Sequence, residues 1–500
     1  MEDNPDFGPP IVCQHFDLQA GLIRENAERI AREDQGLHPD EDEHELELPT
    51  PPSNSPTPTS ILTASSPTLS RVQKKKLKKR EHEHKKRQAD ARLADDDPLP
   101  PTPTPSVLAK AAAASPLHVP FSATDFRSSK PRWTGLQTPL EHPLLAYARD
   151  VEFLKSHMQY ADWAGEKTHA ILDSTGHIIG SLIAPPLPGK AWTPVNDDAT
   201  AAMRLAREEM SFPADACHHR RAYDDEQGFP AAIDGFGFGG GRTDVGNFKM
   251  SARHRRAMDK LIARPSIRRT ATYGYGPFQA LCYPIHSQYY RTTRELRKKH
   301  PGLRRLFPRS PFAALTANLG PHSVSPPHAD HGNATDGMCL ISALGHFDPD
   351  KGGHLVLWDY NLIIRFPPGC SILIPSTVVT HSNTPIQAGE ERFSLIQYSA
   401  GGLFRWAANG FKSDVAWAAT ASEEDVAARE QARQARWATA LKKFSLLKDV
   451  KMGNYAGRVR AELWAEAEAG DISDLTDVEN EGGDGDDEEE EPLPKKIRCA

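Results

Sequence analysis

Two histidines and one aspartate in the last part of the chain have the types and spacing of a metal site. His328 and Asp330 are separated by one residue, and His381 follows further along. Two imidazoles and one carboxylate can hold Fe(II) on one face and leave the opposite face open. Arg392 and Ser394 come next, and this pair could hold the distal carboxylate of a chelating oxo-acid. The ordered set predicts an Fe(II)- and 2-oxoglutarate-dependent oxygenase.

The His-x-Asp triplet is weak support by itself, because histidines and acids are common in this chain. Such triplets begin at His15, His38, His328 and His346. The first two fall in a segment that we expect to be unfolded. His346 lies in a turn-rich stretch, whereas His328 follows one predicted strand by a short loop and precedes another. We therefore favour His328 as the metal ligand over His346.

Arg392 and Ser394 are two residues apart on a predicted strand, so their side chains share one face. An arginine inside an apolar strand is costly to bury unless it is paired. A bound dicarboxylate would supply that partner through a bidentate salt bridge. The alternatives are an arginine on a solvated face or one that pairs with a distant acid. His381 could likewise be a strand-end histidine bonded only to backbone.

Composition argues against several classes of protein. The chain has 500 residues, a net charge of −7 and six cysteines. The cysteines are scattered and form no CxxC, which predicts free thiols in a reducing compartment rather than a disulfide framework or a zinc finger. The sequence shows no apolar run of membrane-spanning length and no signal-peptide pattern, so we expect no membrane association.

Residues 1–118 are predicted to be disordered, because a composition rich in Pro, Ser and Thr leaves little to bury. Within them, a basic run at 71–92 carries eleven Lys and Arg against three acids. This run predicts a nuclear import signal or a nucleic-acid tether, with a solvated linker as the alternative. We therefore expect a nuclear protein, or otherwise a cytoplasmic one.

Residues 119–310 are predicted to form an α/β extension to the core. The pattern of residues 169–186 predicts a strand, a turn and a second strand. A helix is expected at 197–210, with Asp197 or Asp198 placed to cap its N-terminus.

Two further segments of this extension resemble ligand-binding sequences. Residues 235–247 contain a formal GxGxxG, but no apolar strand precedes it and no helix follows, so we interpret them as a flexible loop. Residues 249–309 hold sixteen Lys and Arg against two acids, and a helix is expected at 278–300. This basic segment could contact the phosphates of a nucleic acid, or its charges could pair with acids elsewhere in the protein.

The pattern changes at residues 311–411, where seven short apolar strands are separated by turns. Strands at this spacing predict an all-β sandwich or barrel. Residues 412–470 are predicted to be helical, and a helix at 422–444 begins with a capping-box pattern. Residues 471–500 form an acidic tail that is predicted to be disordered.

A family resemblance covers residues 310–411, on the motifs HADHGN, KGGHLVLWDYNLIIRFPPGCSILIPSTVVTHSN and ERFSLIQYSAGGLFRWAANGF. This block resembles the 2-oxoglutarate/Fe(II) oxygenases, and within them most resembles the TET/JBP-like oxygenases, particularly the expanded fungal members. The resemblance implies an α+β fold in which a double-stranded β-helix, or jelly roll, is flanked by helices.

The resemblance also implies roles for the chemical residues. His328, Asp330 and His381 would be iron ligands, and Arg392 with Ser394 would hold the C5 carboxylate of 2-oxoglutarate. The implied cofactors are Fe(II), 2-oxoglutarate and O2, with ascorbate as a supporting reductant.

The substrate is less well indicated. Members of the resembled family oxidise the methyl group of thymine or 5-methylcytosine in DNA, and Asn333 resembles a residue on their substrate side. This chain departs from them because it has no Cys-rich zinc region, and no base-stacking aromatic residue is evident from its sequence. A nucleic-acid base is the favoured substrate, and chromatin proteins are further expected partners. The alternatives are hydroxylation of a protein side chain, a non-catalytic binding module on the same fold, and an unrelated β-protein with structural histidines.

Overall fold

The computed structural model describes residues 100, 102–129, 133–136, 141–186, 189–213, 228–239, 241–453 and 455–463. The basic run, the acidic tail and three of the six cysteines lie outside the described residues. Cys282, Cys339 and Cys370 are buried, and none of them forms a disulfide within the described part of the chain. Within the described ranges, no helix combines the length and the apolarity needed to cross a bilayer.

The strands are β1 (Ser115–His118), β2 (Gln159–Ala161), β3 (His169–Leu172), β4 (Ile178–Ile183), β5 (Ala231–Gly237), β6 (Gly246–Asn247), β7 (Ala314–Asn318), β8 (Cys339–His346), β9 (Leu355–Leu357), β10 (Leu362–Ile364), β11 (Ser371–Ile374), β12 (His381–Asn383) and β13 (Glu391–Tyr398). The α-helices are α1 (Pro105–Ala112), α2 (Val151–His157), α3 (Thr193–Met210), α4 (Ala252–Ala263), α5 (Pro265–Thr272), α6 (Tyr275–Leu281), α7 (Tyr283–Lys299), α8 (Gly401–Ala408), α9 (Asp414–Ala418), α10 (Glu423–Leu441) and α11 (Leu447–Lys451).

The strands form two sheets, so the chain is a mixed α+β protein. The larger sheet has nine strands in the order β1-β3-β4-β11-β8-β13-β7-β5-β6, and the smaller has four in the order β12-β9-β10-β2. Strands β11, β8, β13 and β7 pair antiparallel at the centre of the larger sheet. Apolar side chains from both sheets, including Ile341, Leu373, Leu355 and Leu362, belong to one buried cluster.

The predicted extension is built into the larger sheet rather than beside it. Strand β4 pairs with β11, and β5 pairs with β7, so residues before 310 add strands on both sides of the centre. Ordered structure also begins within the range 1–118, because α1 precedes β1, and β1 pairs parallel with β3. The strand–turn–strand prediction for residues 169–186 is confirmed by β3 and β4.

Two local predictions in the extension are wrong at their boundaries. Helix α3 begins at Thr193, with Pro194 in its first turn, so Asp197 and Asp198 lie inside the helix and cap nothing. The helix expected at 278–300 is divided into α6 and α7 at Cys282, which has a non-helical φ of −133° and is followed by Pro284 in the first turn of α7.

The glycine-rich segment is also more regular than predicted, because residues 231–237 form β5. Gly235 has a φ of +107°, and a Cβ there would lie 2.2 Å from the carbonyl oxygen of Ala313. Only glycine allows this backbone conformation and this close approach to the chain just before β7. The strand was not predicted because its glycines interrupt the alternation of apolar and polar residues that is typical of a strand.

The C-terminal helix agrees with the sequence. The Ser422 side chain accepts from the Asp425 N–H, and the Asp425 carboxylate accepts from the Ser422 N–H, so α10 begins with the predicted capping box. Trp437, Leu441 and the fully buried Phe444 pack against the main apolar cluster.

Candidate metal centre and carboxylate clamp

The structure brings the three predicted metal ligands together. One ligand atom from each of His328, Asp330 and His381 lies within 4.8 Å of the others, and His328 Nε2 is 4.0 Å from Asp330 Oδ1. Asp330 and His381 are buried, and His328 is largely covered. Two imidazoles and one carboxylate in this arrangement fit a divalent iron ion bound on one face.

Backbone pairing fixes the two histidines beside each other. The N–H of His328 donates to the carbonyl of His381 over 3.0 Å, and the reverse bond measures 2.8 Å. Each ring also turns its Nδ1 towards a backbone carbonyl, that of Pro326 for His328 and that of Val379 for His381. A neutral ring that donates from Nδ1 carries its lone pair on Nε2, which is the form that binds a metal.

The loop that carries Asp330 is held by a small polar network. The N–H of Asp330 donates to the Ser376 carbonyl over 2.8 Å. The Asn333 amide donates to Cys339 Sγ and Ser376 Oγ, and Ser376 Oγ in turn donates to Cys339 Sγ. Asn333 lines the cavity as the resemblance implies, but its amide N–H groups also serve to hold this loop.

Arg392 is the most unusual side chain of the site, because its guanidinium is buried with donors left over. The residue is only 1% exposed. Its Nη1 donates to the Ser323 carbonyl, whereas Nε and Nη2 have no hydrogen-bond partner among the described residues. Burial lowers the pKa of Arg392 to about 10, so the group remains charged at neutral pH. This burial removes the alternative of an arginine on a solvated face.

No acid of the described chain takes the place of the missing partner. Glu390, two residues before Arg392, accepts from the backbone N–H groups of Asp348 and Gln387. Glu391 turns to Arg204 and His346. An unpaired buried guanidinium is costly, and a carboxylate placed at Nε and Nη2 would satisfy both donors in the usual bidentate way.

Ser394 lies beside Arg392 on the same face of β13 and is likewise buried. Its cross-strand neighbour is Asn318 in β7, which sequence reasoning missed. The two side chains form a 2.9 Å hydrogen bond, and Asn318 Oδ1 has no partner. Exchanging the amide oxygen and nitrogen of Asn318 would let Ser394 donate to Oδ1 and turn the NH2 group towards an anion. The pairing of β7 with β13 could not be derived from either strand alone.

One cavity of about 500 Å³ joins these groups. The metal ligands, Arg392, Ser394 and Asn318 line its buried part. The partly exposed side chains of Arg242, Phe248 and Arg405 form its rim, and the buried ring of Phe238 also lines it. These two aromatic residues could not be predicted from sequence, because Phe238 and Phe248 reach the cavity through the pairing of β5 with β6.

The competing triplet is placed elsewhere. His346 is the last residue of β8 and is half exposed, with Nε2 3.0 Å from Asp197 and Nδ1 2.8 Å from Glu391. The hydrogen bond with Glu391 is the largest of the causes that raise the pKa of His346. His346 therefore belongs to a surface ion-pair cluster and not to the cavity.

Part of the basic segment is neutralised within the fold. Arg255 and Arg304 both contact the fully buried Asp234, at 2.7 and 2.8 Å. Lys260 pairs with Glu209 and Arg264 pairs with Asp198; these pairs, unlike those with Asp234, are largely exposed. These contacts support the alternative in which the charges of residues 249–309 pair with acids elsewhere in the protein.

Comparisons with known proteins give distant likenesses only. No protein-family model and no curated protein matches the chain. Among solved structures, NgTET1 in complex with 5mC DNA is 12% identical with a TM-score of 0.32, over 53% of this chain and 92% of that one. OsALKBH1 is 11% identical with a TM-score of 0.23, over 44% and 96%. A viral collagen prolyl hydroxylase from Paramecium Bursaria Chlorella virus-1, solved as a 2OG complex, is 16% identical with a TM-score of 0.14, over 17% and 59%.

Likeness at these TM-scores carries no argument about chemistry. The functional interpretation therefore rests on the geometry of the site.

Proposed function

We propose that this protein is an Fe(II)- and 2-oxoglutarate-dependent dioxygenase that hydroxylates a methylated or thymine base in nucleic acid. The observation that carries the proposal is the meeting of two features in one cavity. The first is a facial set of His328, Asp330 and His381. The second is Arg392, a buried guanidinium with two donors that lack a partner. A chelating dicarboxylate would satisfy both.

Strand pairing supports a double-stranded β-helix for the core. Along the chain, β7, β8, β11 and β13 lie in the larger sheet, whereas β9, β10 and β12 lie in the smaller. The bridge between His328 and His381 adds the metal-binding segment to the edge of the smaller sheet. From β7 to β13 the chain thus passes repeatedly between two sheets, as it does in a jelly roll.

The donors fit 2-oxoglutarate at both ends. The triad leaves open positions for the oxo-acid end on a bound iron ion, and Arg392 with Ser394 provides hydrogen-bond donors for the distal carboxylate. When bound, Fe(II), 2-oxoglutarate and O2 supply an oxidant for C–H hydroxylation, with ascorbate as a supporting reductant. The protein's own contribution is to fix three ligands, bind the carboxylate and hold the substrate in a largely covered cavity.

Two features favour a nucleic-acid base over a protein side chain. Phe248, which is partly exposed, gives the rim a flat apolar surface on which a base could stack. The basic run at 71–92 fits nuclear import, and on that basis we propose a nuclear location. A base in a duplex would have to leave the stack to reach the cavity, at a cost of about a few kcal/mol.

Succinate formation from 2-oxoglutarate tests the proposal directly. Purified protein would be assayed with Fe(II) and ascorbate, with methylated or unmethylated DNA added, beside a His328→Ala/Asp330→Ala variant. His346→Ala is the matched control, because it removes a histidine of the same sequence motif that lies outside the cavity. We expect turnover that rises with methylated DNA, is lost in the double variant and persists in the control.

The other outcomes discriminate between the alternatives. Turnover that DNA does not stimulate would retain the dioxygenase and favour hydroxylation of protein side chains, with chromatin proteins as candidates. Absence of turnover in a folded, iron-loaded protein would contradict the enzyme and favour a binding module.

A further inference from the structure

The rim of the cavity carries two arginines that the predicted basic segment does not include. Arg242 lies in the turn between β5 and β6, and Arg405 lies in α8. Both line the same cavity as the metal ligands, and both are half-buried. Each guanidinium also lies near an aromatic ring that lines the cavity, 4.8 Å from the partly exposed Phe248 for Arg242 and 5.9 Å from the buried Phe238 for Arg405.

Arg242 is held in place without neutralisation of its charge. Its Nη1 donates to the backbone carbonyls of Gly246 and Asn247, and no carboxylate of the described chain pairs with it. Phe248 lies against Gly237, where a Cβ would approach its ring to 2.9 Å. Arg242 is therefore a cation fixed on a rigid ring, and little conformational entropy remains to be lost on binding an anion.

Arg405 retains charge for a different reason. Its Nε is 3.3 Å from Asp414, but the same carboxylate is only 2.6 Å from Arg429. Two guanidinium groups that share one carboxylate leave one net positive charge. Arg405 lines the cavity, whereas Arg429 stacks on Trp417, 4.1 Å from the ring, and does not line it.

We propose that Arg242 and Arg405 form a phosphate-binding rim that holds the nucleic-acid backbone while the reacting base occupies the cavity. The inference rests on the proposed function, because it takes the substrate to be a base carried on a strand. The charge and donors of the two arginines and the partly exposed ring of Phe248 match a nucleotide, which joins a flat base to an anionic phosphate. Several cations of the segment at 249–309, by contrast, are already paired with acids, among them Arg255, Arg264 and Arg304.

The salt dependence of oligonucleotide binding tests the rim. The probe is a fluorescein-labelled single-stranded oligodeoxynucleotide with one 5-methylcytosine, titrated with iron-free protein at several salt concentrations. Each lost phosphate contact lowers the slope of log K against log salt by about one. We expect this decrease in Arg242→Gln and in Arg405→Gln, and about twice as much in the double variant. An unmethylated probe should show the same decrease, because phosphates carry no base identity.

Arg436→Gln is the matched control, since Arg436 also lies over an aromatic ring, 4.1 Å from Trp133, but does not line the cavity of the metal site. Its slope should equal that of the wild type. Equal slopes in the wild type and the double variant would overturn the rim, as would absence of binding by the wild type. Failure to convert 2-oxoglutarate, with the expected change in slope, would instead overturn the dioxygenase and leave the rim in place.

Discussion

Two His-x-Asp triplets of this chain have the same local sequence pattern and opposite surroundings. His328 and Asp330 lie in a covered cavity with a second histidine and a guanidinium that lacks two partners. His346 is half exposed and is bonded to Asp197 and Glu391. The His-x-Asp motif alone therefore does not make a metal site. The site also requires a third ligand that the fold brings close to the motif, and polar groups that the fold leaves without partners.

The largest expected effect comes from breaking the buried triplet. Asp330→Ala should lower succinate formation by more than about a hundredfold. Loss of a metal ligand should reduce activity at least as much as loss of a residue that only orients a ligand. Asp348→Ala, the equivalent change in the exposed triplet, should leave the rate within about twofold of the wild type, since surface ion pairs contribute little. Equal losses in the two variants would contradict the assignment.

Arg392→Met should separate cofactor binding from folding. The variant is expected to weaken 2-oxoglutarate binding at least about a hundredfold, because the Nε and Nη2 donors both disappear. Its melting temperature without cofactor should not fall, since a buried charge with unsatisfied donors is replaced by an apolar side chain of similar length. A large loss of thermal stability would indicate that Arg392 has a structural partner. Arg204→Ala, at an exposed arginine that pairs with Glu391, is the control and should leave 2-oxoglutarate affinity unchanged.

Asn318→Ala tests whether Asn318 acts with Arg392 and Ser394 in binding the distal carboxylate of 2-oxoglutarate. We expect about a tenfold loss of affinity for 2-oxoglutarate, the usual value of one hydrogen bond to a charged group. Affinity for pyruvate, which lacks the distal carboxylate, should not change. Asn196→Ala is the matched control, because Asn196 is equally buried and also has an Oδ1 without a partner, yet lies outside the cavity. A loss of pyruvate affinity in Asn318→Ala would place its effect at the metal instead.

The smallest effect concerns pH and the exposed triplet. Glu391, chiefly through its hydrogen bond, raises the pKa of His346 above its ordinary value. Because the pKa of His346 is higher in the folded than in the unfolded protein, its interaction with Glu391 stabilises the fold fully below the unfolded-state pKa of about 6.5. This stabilisation is lost as pH rises through the folded-state pKa. Urea unfolding should therefore show a small stability advantage of the wild type over His346→Gln at pH 5.5 that shrinks by pH 8.5. An advantage that grew with pH would contradict the ion pair.

Sequence patterns predicted the regular parts of this molecule because those parts are determined locally. The seven core strands follow from short apolar runs separated by turns, and the capping box at Ser422 follows from two residues three apart. The break at Cys282 was missed because apolar spacing continues through it, although Pro284 was a usable signal. Strand β5 was missed because glycines conceal its alternation.

Part of the candidate site could be predicted from the sequence for the same reason, namely that it is determined locally. Metal ligands and a strand arginine are recognisable as residue types in order along the chain. Asn318, Phe248 and Arg242 act through strand pairing and turn geometry, which one sequence does not specify. One argument from sequence did not depend on a motif: burying the Arg392 guanidinium is costly without a partner, and this cost indicated a bound anionic ligand.

Calorimetric titration of 2-oxoglutarate into protein loaded with Fe(II) under anaerobic conditions tests the central claim most directly. The account predicts one binding site in the wild type, binding weakened at least about a hundredfold in Arg392→Met, and undiminished binding in the His346→Ala control. Binding of equal strength in wild type and Arg392→Met, or no binding by the iron-loaded wild type, would contradict it.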